Sequence, residues 1–232
     1  TLVKSSAASD VYKRQIPVGG RTATADEPLR CAVFLSGSGS GMEALVQAQR
    51  TQTLPHQTVV VVANKSGIEG LERAHRLGVP ALVVEQSHDG LALSREEHEA
   101  EILRQIADYD VELVVLSGYM RLLSPLFLSD WANRVVNIHP SFLPHFPGAH
   151  AHRDVLSSQT TITGCTVHLV DEGMDTGAIL AQRPVPVFAD DDEATLSARV
   201  KVEEHRLYPK VLTWIAEAVS YTHLTLPTTS PE

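Results

Sequence analysis

The sequence predicts an α/β fold: a Rossmann-like, doubly wound, mostly parallel sheet with a C-terminal antiparallel strand pair. Three observations predict it. Short runs at 31–35, 59–63, 111–116 and 135–138 are largely apolar and rich in Val and Leu, the pattern of strands buried on both faces. Helical periodicity separates these runs, and alternation of strand and helix is the signature of a parallel sheet. Two further apolar runs, 163–170 and 178–187, flank a polar turn at 171–177 and read as strands antiparallel to each other.

Length and composition bound the rest. The 232 residues suffice for one sizeable α/β domain, and 43% hydrophobic residues can fill its core. No apolar run approaches the ~20 residues of a membrane span. A net charge of −9 argues against a nucleic-acid surface, which needs clustered Lys and Arg, but leaves room for a local anion site. Cys31 and Cys165 lie in strand-like runs and read as buried free thiols in a reducing, cytoplasmic compartment. Segments 1–15 and 220–232 lack a continuing pattern and resemble translated adapter read-through; the first has no apolar region of a signal peptide. Residues 1–29 are therefore expected to be a non-native or disordered lead-in, 30–218 the folded domain, and 219–232 a non-native tail.

In order along the chain, strand 31–35 runs straight into Ser36-Gly37-Ser38-Gly39-Ser40-Gly41. Met42, Leu45, Val46 and Ala48 then recur at helical spacing. Strand, Gly/Ser loop and helix form either a plain tight turn or a cradle of backbone N–H groups for an anion. No Gly-Lys-Ser/Thr follows, so it is not a P-loop, and it only half imitates a dinucleotide fingerprint. Strand 59–63 ends at Asn64-Lys65-Ser66-Gly67; helix 70–77 stops at Gly78; 80–84 is a short strand. Ser94 with Glu97 forms a capping box for a helix reaching about 109, whose many charges read as a solvated face. After strand 111–116 comes Ser117-Gly118-Tyr119-Met120-Arg121-Leu122-Leu123, in which Met and Leu suit either core or pocket. Pro125 suits the first turn of a helix to about 132. Asp190, Asp191 and Asp192 precede a helix over 193–218, which Pro209 is expected to kink or divide.

The chemistry concentrates at 135–177. Asn137 and His139 are two apart on a strand, hence on one side of it, just where open α/β sheets bind ligands. Asn offers an amide N–H and His a proton near neutral pH. Asp175 can orient and charge that His once the turn folds back. The three suit acyl-type transfer: donors for an oxyanion and a carboxylate that raises the imidazole pKa. His145, His150, His152 and His168 raise the question of a metal, but no metalloprotease motif or Cys cluster accompanies them, and none is expected. His150 and His152 read as loop residues shaping the site, and His168 as a buried strand residue beside the trio.

The string 137–154, read with 168–177, resembles phosphoribosylglycinamide formyltransferase, the folate-dependent enzyme of purine synthesis, over about 30–218. The resemblance implies the formyltransferase fold and formyl transfer from 10-formyltetrahydrofolate to the amine of 5-phosphoribosylglycinamide in de novo purine (IMP) biosynthesis, with no metal. It implies Asn137, His139 and Asp175 as the catalytic residues. Gly39, Ser40, Gly41 and Glu204 would hold the ribonucleotide, the loop its phosphate. Arg95, Met120, Arg121, Leu122, Leu123 and Asn137 would hold the folate. The family usually has Asn where this chain has Gly41, which removes one side-chain contact. It also implies a cis Leu143-Pro144 bond. Formyltetrahydrofolate deformylase and methionyl-tRNA formyltransferase share the Asn-Ile-His core; Pro140 and the 147–150 continuation favour the glycinamide enzyme. A non-catalytic nucleotide-binding module is the alternative of a different class. Small-molecule substrates are the expected partners, with no nucleic acid and no membrane, for a monomer or homodimer.

Overall fold

A computed structural model describes residues 23–88 and 91–221. The parts of the expected lead-in and tail at 1–22 and 222–232 lie outside them. Residues 23–28 do not behave as a loose lead-in: Ala23 is buried in the core, and Thr24 N–H donates to Glu27 O at 3.0 Å.

Seven strands form one sheet in the order β3-β2-β1-β6-β7-β8-β9. They are β1 (Leu29–Leu35), β2 (His56–Ala63), β3 (Ala81–Val83), β6 (Leu113–Leu116), β7 (Val135–His139), β8 (Ile162–Leu169) and β9 (Ile179–Pro186). Strands β4 (Ser87–His88) and β5 (Leu91–Ala92) form a separate small hairpin that the sequence pattern does not signal. β1, β2, β3, β6 and β7 run parallel, whereas β8 is antiparallel to both β7 and β9. The chain winds outward from β1 to β3, then returns to place β6 on the other side of β1. Strand order therefore reverses between β1 and β6, and the crevice beyond their carboxyl ends is where such sheets take ligands.

Helices cover both faces: α1 (Ser40–Thr51), α2 (Glu69–Arg76), α3 (Arg95–Ile106), α4 (Pro125–Asp130), α5 (Ala151–Ser157) and α6 (Glu193–Tyr221). Alternation along β1 divides the core. Cys31, Val33 and Leu35 pack with Leu45, Leu207, Val211 and Leu212 of α1 and α6. Ala32 and Phe34 pack with Ile102 and Phe127 of α3 and α4. Both cysteines are buried free thiols, and burial drives both pKa values up.

The capping box forms: Glu97 N–H donates to Ser94 Oγ at 3.1 Å, and Ser94 N–H to the Glu97 carboxylate at 2.8 Å. The α-helix ends at Ile106, and a 3-10 turn fills Ala107–Tyr109. The solvated-face reading fails at Glu99, which is 4% exposed. Its carboxylate accepts the Ser124 N–H at 2.8 Å and the Ser124 hydroxyl, so it ties α3 to the N-cap of α4. Glu99→Ala leaves both donors without an acceptor in a dry site. It is expected to cost about 2–3 kcal/mol in urea unfolding.

Helix α6 runs unbroken through Pro209 and past residue 218 to Tyr221. Proline removes one helical N–H. Buried side chains on both sides of it, Leu207, Tyr208, Val211, Leu212 and Ile215, hold the helix on the sheet. His56 Nε2 also lies 3.1 Å from the Pro209 carbonyl. The Tyr208 hydroxyl lies 2.9 Å from Leu116 O and 3.1 Å from Val136 O, which pins α6 over the ends of β6 and β7. The Leu143-Pro144 bond is cis, as the resemblance implied.

Candidate active site

A cavity of about 410 Å³ opens at the reversal point. Its walls come from the loop after β1, the loop after β6, the end of β7, the 171–177 turn and α6. The first two loops are stitched together: Ser36 N–H donates to Gly118 O at 3.1 Å, and Met120 N–H to Ser36 Oγ at 2.9 Å.

Gly39 caps α1 in the left-handed region, φ +70°, and a Cβ there would lie 2.7 Å from Gly70 Cα. No other residue fits without moving α2. The first helical bond of α1 runs from Glu43 N–H to Gly39 O. The N–H groups of Ser40, Gly41 and Met42 thus have no helical partner, and their residues begin α1 at the cavity wall.

On β7, Asn137 pairs with His168 and His139 with Thr166 across the antiparallel ladder. The turn after β8 carries Asp175 back to them with φ +56°, a conformation Asp tolerates better than most residues. His139 Nδ1 lies 3.3 Å from Asp175 Oδ2, and its Nε2–H donates to Phe146 O at 2.9 Å. Gly148 N–H donates to the same carboxylate oxygen at 2.8 Å. His168 Nε2 lies 3.5 Å from Asp175 Oδ1 and 3.2 Å from Asn137 Nδ2. Because His168 Nδ1–H is directed to Leu169 O at 2.8 Å, Nε2 is the ring nitrogen left to face the Asn137 amide and orient it. The second amide proton of Asn137 is left over for a ligand.

Electrostatics partly correct the sequence reading. Burial holds the His139 imidazole below its ordinary pKa. The Phe146 carbonyl and Asp175 pull upward, as expected of them, but burial outweighs both. Burial also presses the Asp175 carboxyl upward, and there the partners win: His168, the Gly148 N–H and the His139 charge hold it at about 2. Asp175 is therefore an anion throughout the neutral range.

Of the sequence-predicted residues, Gly39, Ser40, Gly41, Met120, Arg121, Leu122, Asn137, His139, Asp175 and Glu204 line the cavity. Met120 and Leu122 stand 61% and 48% exposed there, an apolar wall fit for a flat ring. Two do not line it. Leu123 is buried in the core layer beneath Phe34, and Arg95 opens α3, exposed, away from these walls. His152 is on the wall, whereas His145 and His150 are not. Among the described residues no group of three His, Cys, Asp or Glu side chains is arranged to hold a metal ion.

Lys201, His205 and Tyr208 were missed. With Glu204 they recur at helical spacing and bring one stripe of α6 to the cavity. The i, i+3, i+4, i+7 spacing of that stripe, which puts the four residues on one side of α6, was the available signal. Buried, unpartnered nitrogens mark the same wall: His205 Nε2 and His152 Nδ1. Burial, with Lys201 beside them, lowers both pKa values.

Glu204 is pushed from 4.5 to about 7 by burial, with Lys201 opposing. The folded state then holds this proton more tightly than the unfolded chain. The contribution of Glu204 to stability is fully present below 4.5 and is lost as pH rises from 4.5 to about 7. Glu204→Gln is expected to flatten that fall. Melting temperatures of the two proteins should converge at pH 4.5 and separate by pH 8 in favour of the variant, within the roughly 0.5–3 kcal/mol range of single substitutions.

The reversal-point cleft, the glycine loop and the Asn-His-Asp cluster define an α/β protein with a polar ligand cleft at the strand ends. The chain belongs to the formyl transferase family, whose model matches residues 29–212. It is 39% identical over 190 residues to the Escherichia coli phosphoribosylglycinamide formyltransferase, covering 82% of this chain and 88% of that protein. It is 44% identical over 193 residues to the Drosophila melanogaster trifunctional purine biosynthetic protein adenosine-3, but spans only 14% of that relative's length. The crystal structure of glycinamide ribonucleotide transformylase 1 from Symbiobacterium toebii matches with a TM-score of 0.78 at 39% identity, over 82% of this chain and 88% of that one. The Brucella melitensis phosphoribosylglycinamide formyltransferase structure matches at 43% identity with a TM-score of 0.76, over 82% of this chain and 96% of that one.

Proposed function

We propose that this chain transfers the formyl group of 10-formyltetrahydrofolate to the amine of 5-phosphoribosylglycinamide, a step of de novo purine (IMP) synthesis in the cytoplasm. The observation that carries this reading is the placement of Asp175 between His139 and His168, at a cavity that the α1 N-terminus also lines. No helix among the described residues is long and apolar enough to cross a membrane.

In this reading Gly39, Ser40 and Gly41 receive the phosphate at the positive end of α1. Glu204 holds the glycinamide part, and the Met120–Leu122 wall takes the pterin ring. The amine attacks the formyl carbon, a C–N bond forms, and the carbonyl oxygen gains negative charge. Asn137 donates its second amide proton to that oxygen, and His139 donates as well once its Nε2–H leaves the Phe146 carbonyl for the developing charge; such donors are typically worth ~2.7–4 kcal/mol each. Negative charge arriving beside His139 favours its protonated form, against the burial that otherwise keeps it neutral. Asp175, already ionised, accepts the proton shed by the amine, directly or through a water. Collapse of the intermediate breaks the carbon–nitrogen bond to the folate, whose nitrogen takes up the proton that Asp175 received, so the folate leaves as a neutral amine and the carboxylate is restored.

Purified protein supplied with 10-formyltetrahydrofolate tests this against its rivals. Formylation of glycinamide ribonucleotide is expected. Formate release to water alone would make it a deformylase, formylation only of methionyl-tRNA the tRNA enzyme, and no turnover a nucleotide-holding module.

A further inference from the structure

The Ser117 hydroxyl on the cavity wall is used neither by the fold nor by the catalytic cluster. Ser117 follows β6 directly, and its backbone N–H donates to Phe34 O at 2.9 Å. Its side chain makes no hydrogen bond among the described residues and stands half-buried on the wall. The hydroxyl faces the first turn of α1: Ser117 Oγ lies 2.5 Å from where a Cβ on Gly41 would be.

This contact explains a glycine that the backbone does not. Gly41 is absent from the residues with positive φ and sits in ordinary helical conformation within α1. Glycine there is a poor helix former compared with any residue bearing a Cβ. Nothing in the torsions demands it. What demands it is the hydroxyl in its place, because a side chain at 41 would expel Ser117 Oγ from its present rotamer.

We propose that Ser117 is a side-chain ligand of the substrate phosphate, occupying the space that Gly41 leaves open. The inference rests on the reading of the α1 N-terminus as the phosphate cradle. The N–H groups of Ser40, Gly41 and Met42 present donors from one side only. A phosphate has three terminal oxygens, and a hydroxyl reaching in from the β6 side gives one of them a short, charge-assisted bond. Serine achieves this without adding charge beside Lys201.

Steady-state kinetics and direct phosphate binding test it together. Ser117→Ala is expected to raise KM for glycinamide ribonucleotide roughly tenfold, as for loss of one hydrogen bond to a charged group. The kcat and the KM for the folate are expected to stay within about threefold, because uniform binding is what is lost. Gly41→Ala is expected to raise KM similarly by displacing the hydroxyl, and the double variant to match Ser117→Ala alone rather than multiply the effects. Titration with inorganic phosphate gives the same ranking without relying on the amine acceptor. Absence of turnover in the parent protein, with phosphate binding weakened by Ser117→Ala, would refute the substrate assignment and keep this one. Unchanged KM and unchanged phosphate affinity in Ser117→Ala would overturn the inference, as would multiplicative effects in the double variant.

Discussion

Asp175→Asn is expected to cut kcat by about 10³-fold while the protein stays folded, because it removes the anion that faces His139 and the acceptor for the amine proton. Asparagine matches aspartate in shape and tolerates the left-handed backbone at this position, φ +56°. Its amide oxygen can still accept the Gly148 N–H. What disappears is the charge, which the site holds in place with a carboxyl pKa of about 2. His139→Ala is expected to lose activity to a similar degree. The double variant should be little worse than either single, since groups acting as a unit are not additive. Single-turnover formyl transfer with far-UV circular dichroism as the folding control makes the measurement. A rate within a few-fold of the parent protein in either single variant would remove that residue from the mechanism.

Phe34→Ala is expected to be the most damaging core substitution for the site. Phe34 is fully buried on β1, edge-on to Tyr119 at 5.5 Å and to Phe127 at 6.4 Å. Phe127 in turn stacks on Trp131 at 6.1 Å. Truncation leaves a void among side chains fixed by strand and helix backbones, which cannot collapse to fill it. A loss of about 3–5 kcal/mol follows. For a chain of this size, with roughly 2–4 °C per kcal/mol, the melting temperature should fall by about 10 °C. Tyr119 lies on the cavity wall, so the damage reaches the folate side. Phe34→Leu should lose much less in both respects. A melting temperature unchanged in Phe34→Ala would mean that this aromatic layer contributes little to the stability of the fold.

The most legible parts of the fold were those in which one signal is strong within a few residues. The Val59–Val62 run could only be an interior strand, and the Ser94–Glu97 spacing could only be a capped helix start. Pro125 at the start of α4 and Gly78 after α2 were equally local. The pair Asn137 and His139 was readable as a site because strand alternation alone puts both on one side.

Elsewhere local rules lost to packing. Glu99 looked solvated because its helix is charged, yet the N-cap of α4 comes down on it and supplies two donors. The resemblance put Leu123 and Arg95 at the folate; in the structure Leu123 is buried in the core and Arg95 is exposed, and neither lines the cavity, because their placement depends on how the loop after β6 and the start of α3 dock. Pro209 should have broken α6, and continuous burial against the sheet kept the helix whole. The expectation for His139 had the right neighbour and the wrong balance, because desolvation cannot be seen until the walls are built.

By itself, then, the sequence determined which segments enter the sheet, where the chain turns, and which kinds of functional group stand at strand ends. Those properties follow from side-chain period and backbone torsion, which act over a few residues. Only the tertiary structure decided that Asn137 meets a histidine 31 positions away, that α6 delivers Lys201, Glu204 and His205 to the same cavity, and that Ser117 stands where Gly41 has no side chain. Such meetings are set by strand order and helix docking, and so are the burial and electric field that fix how each group titrates.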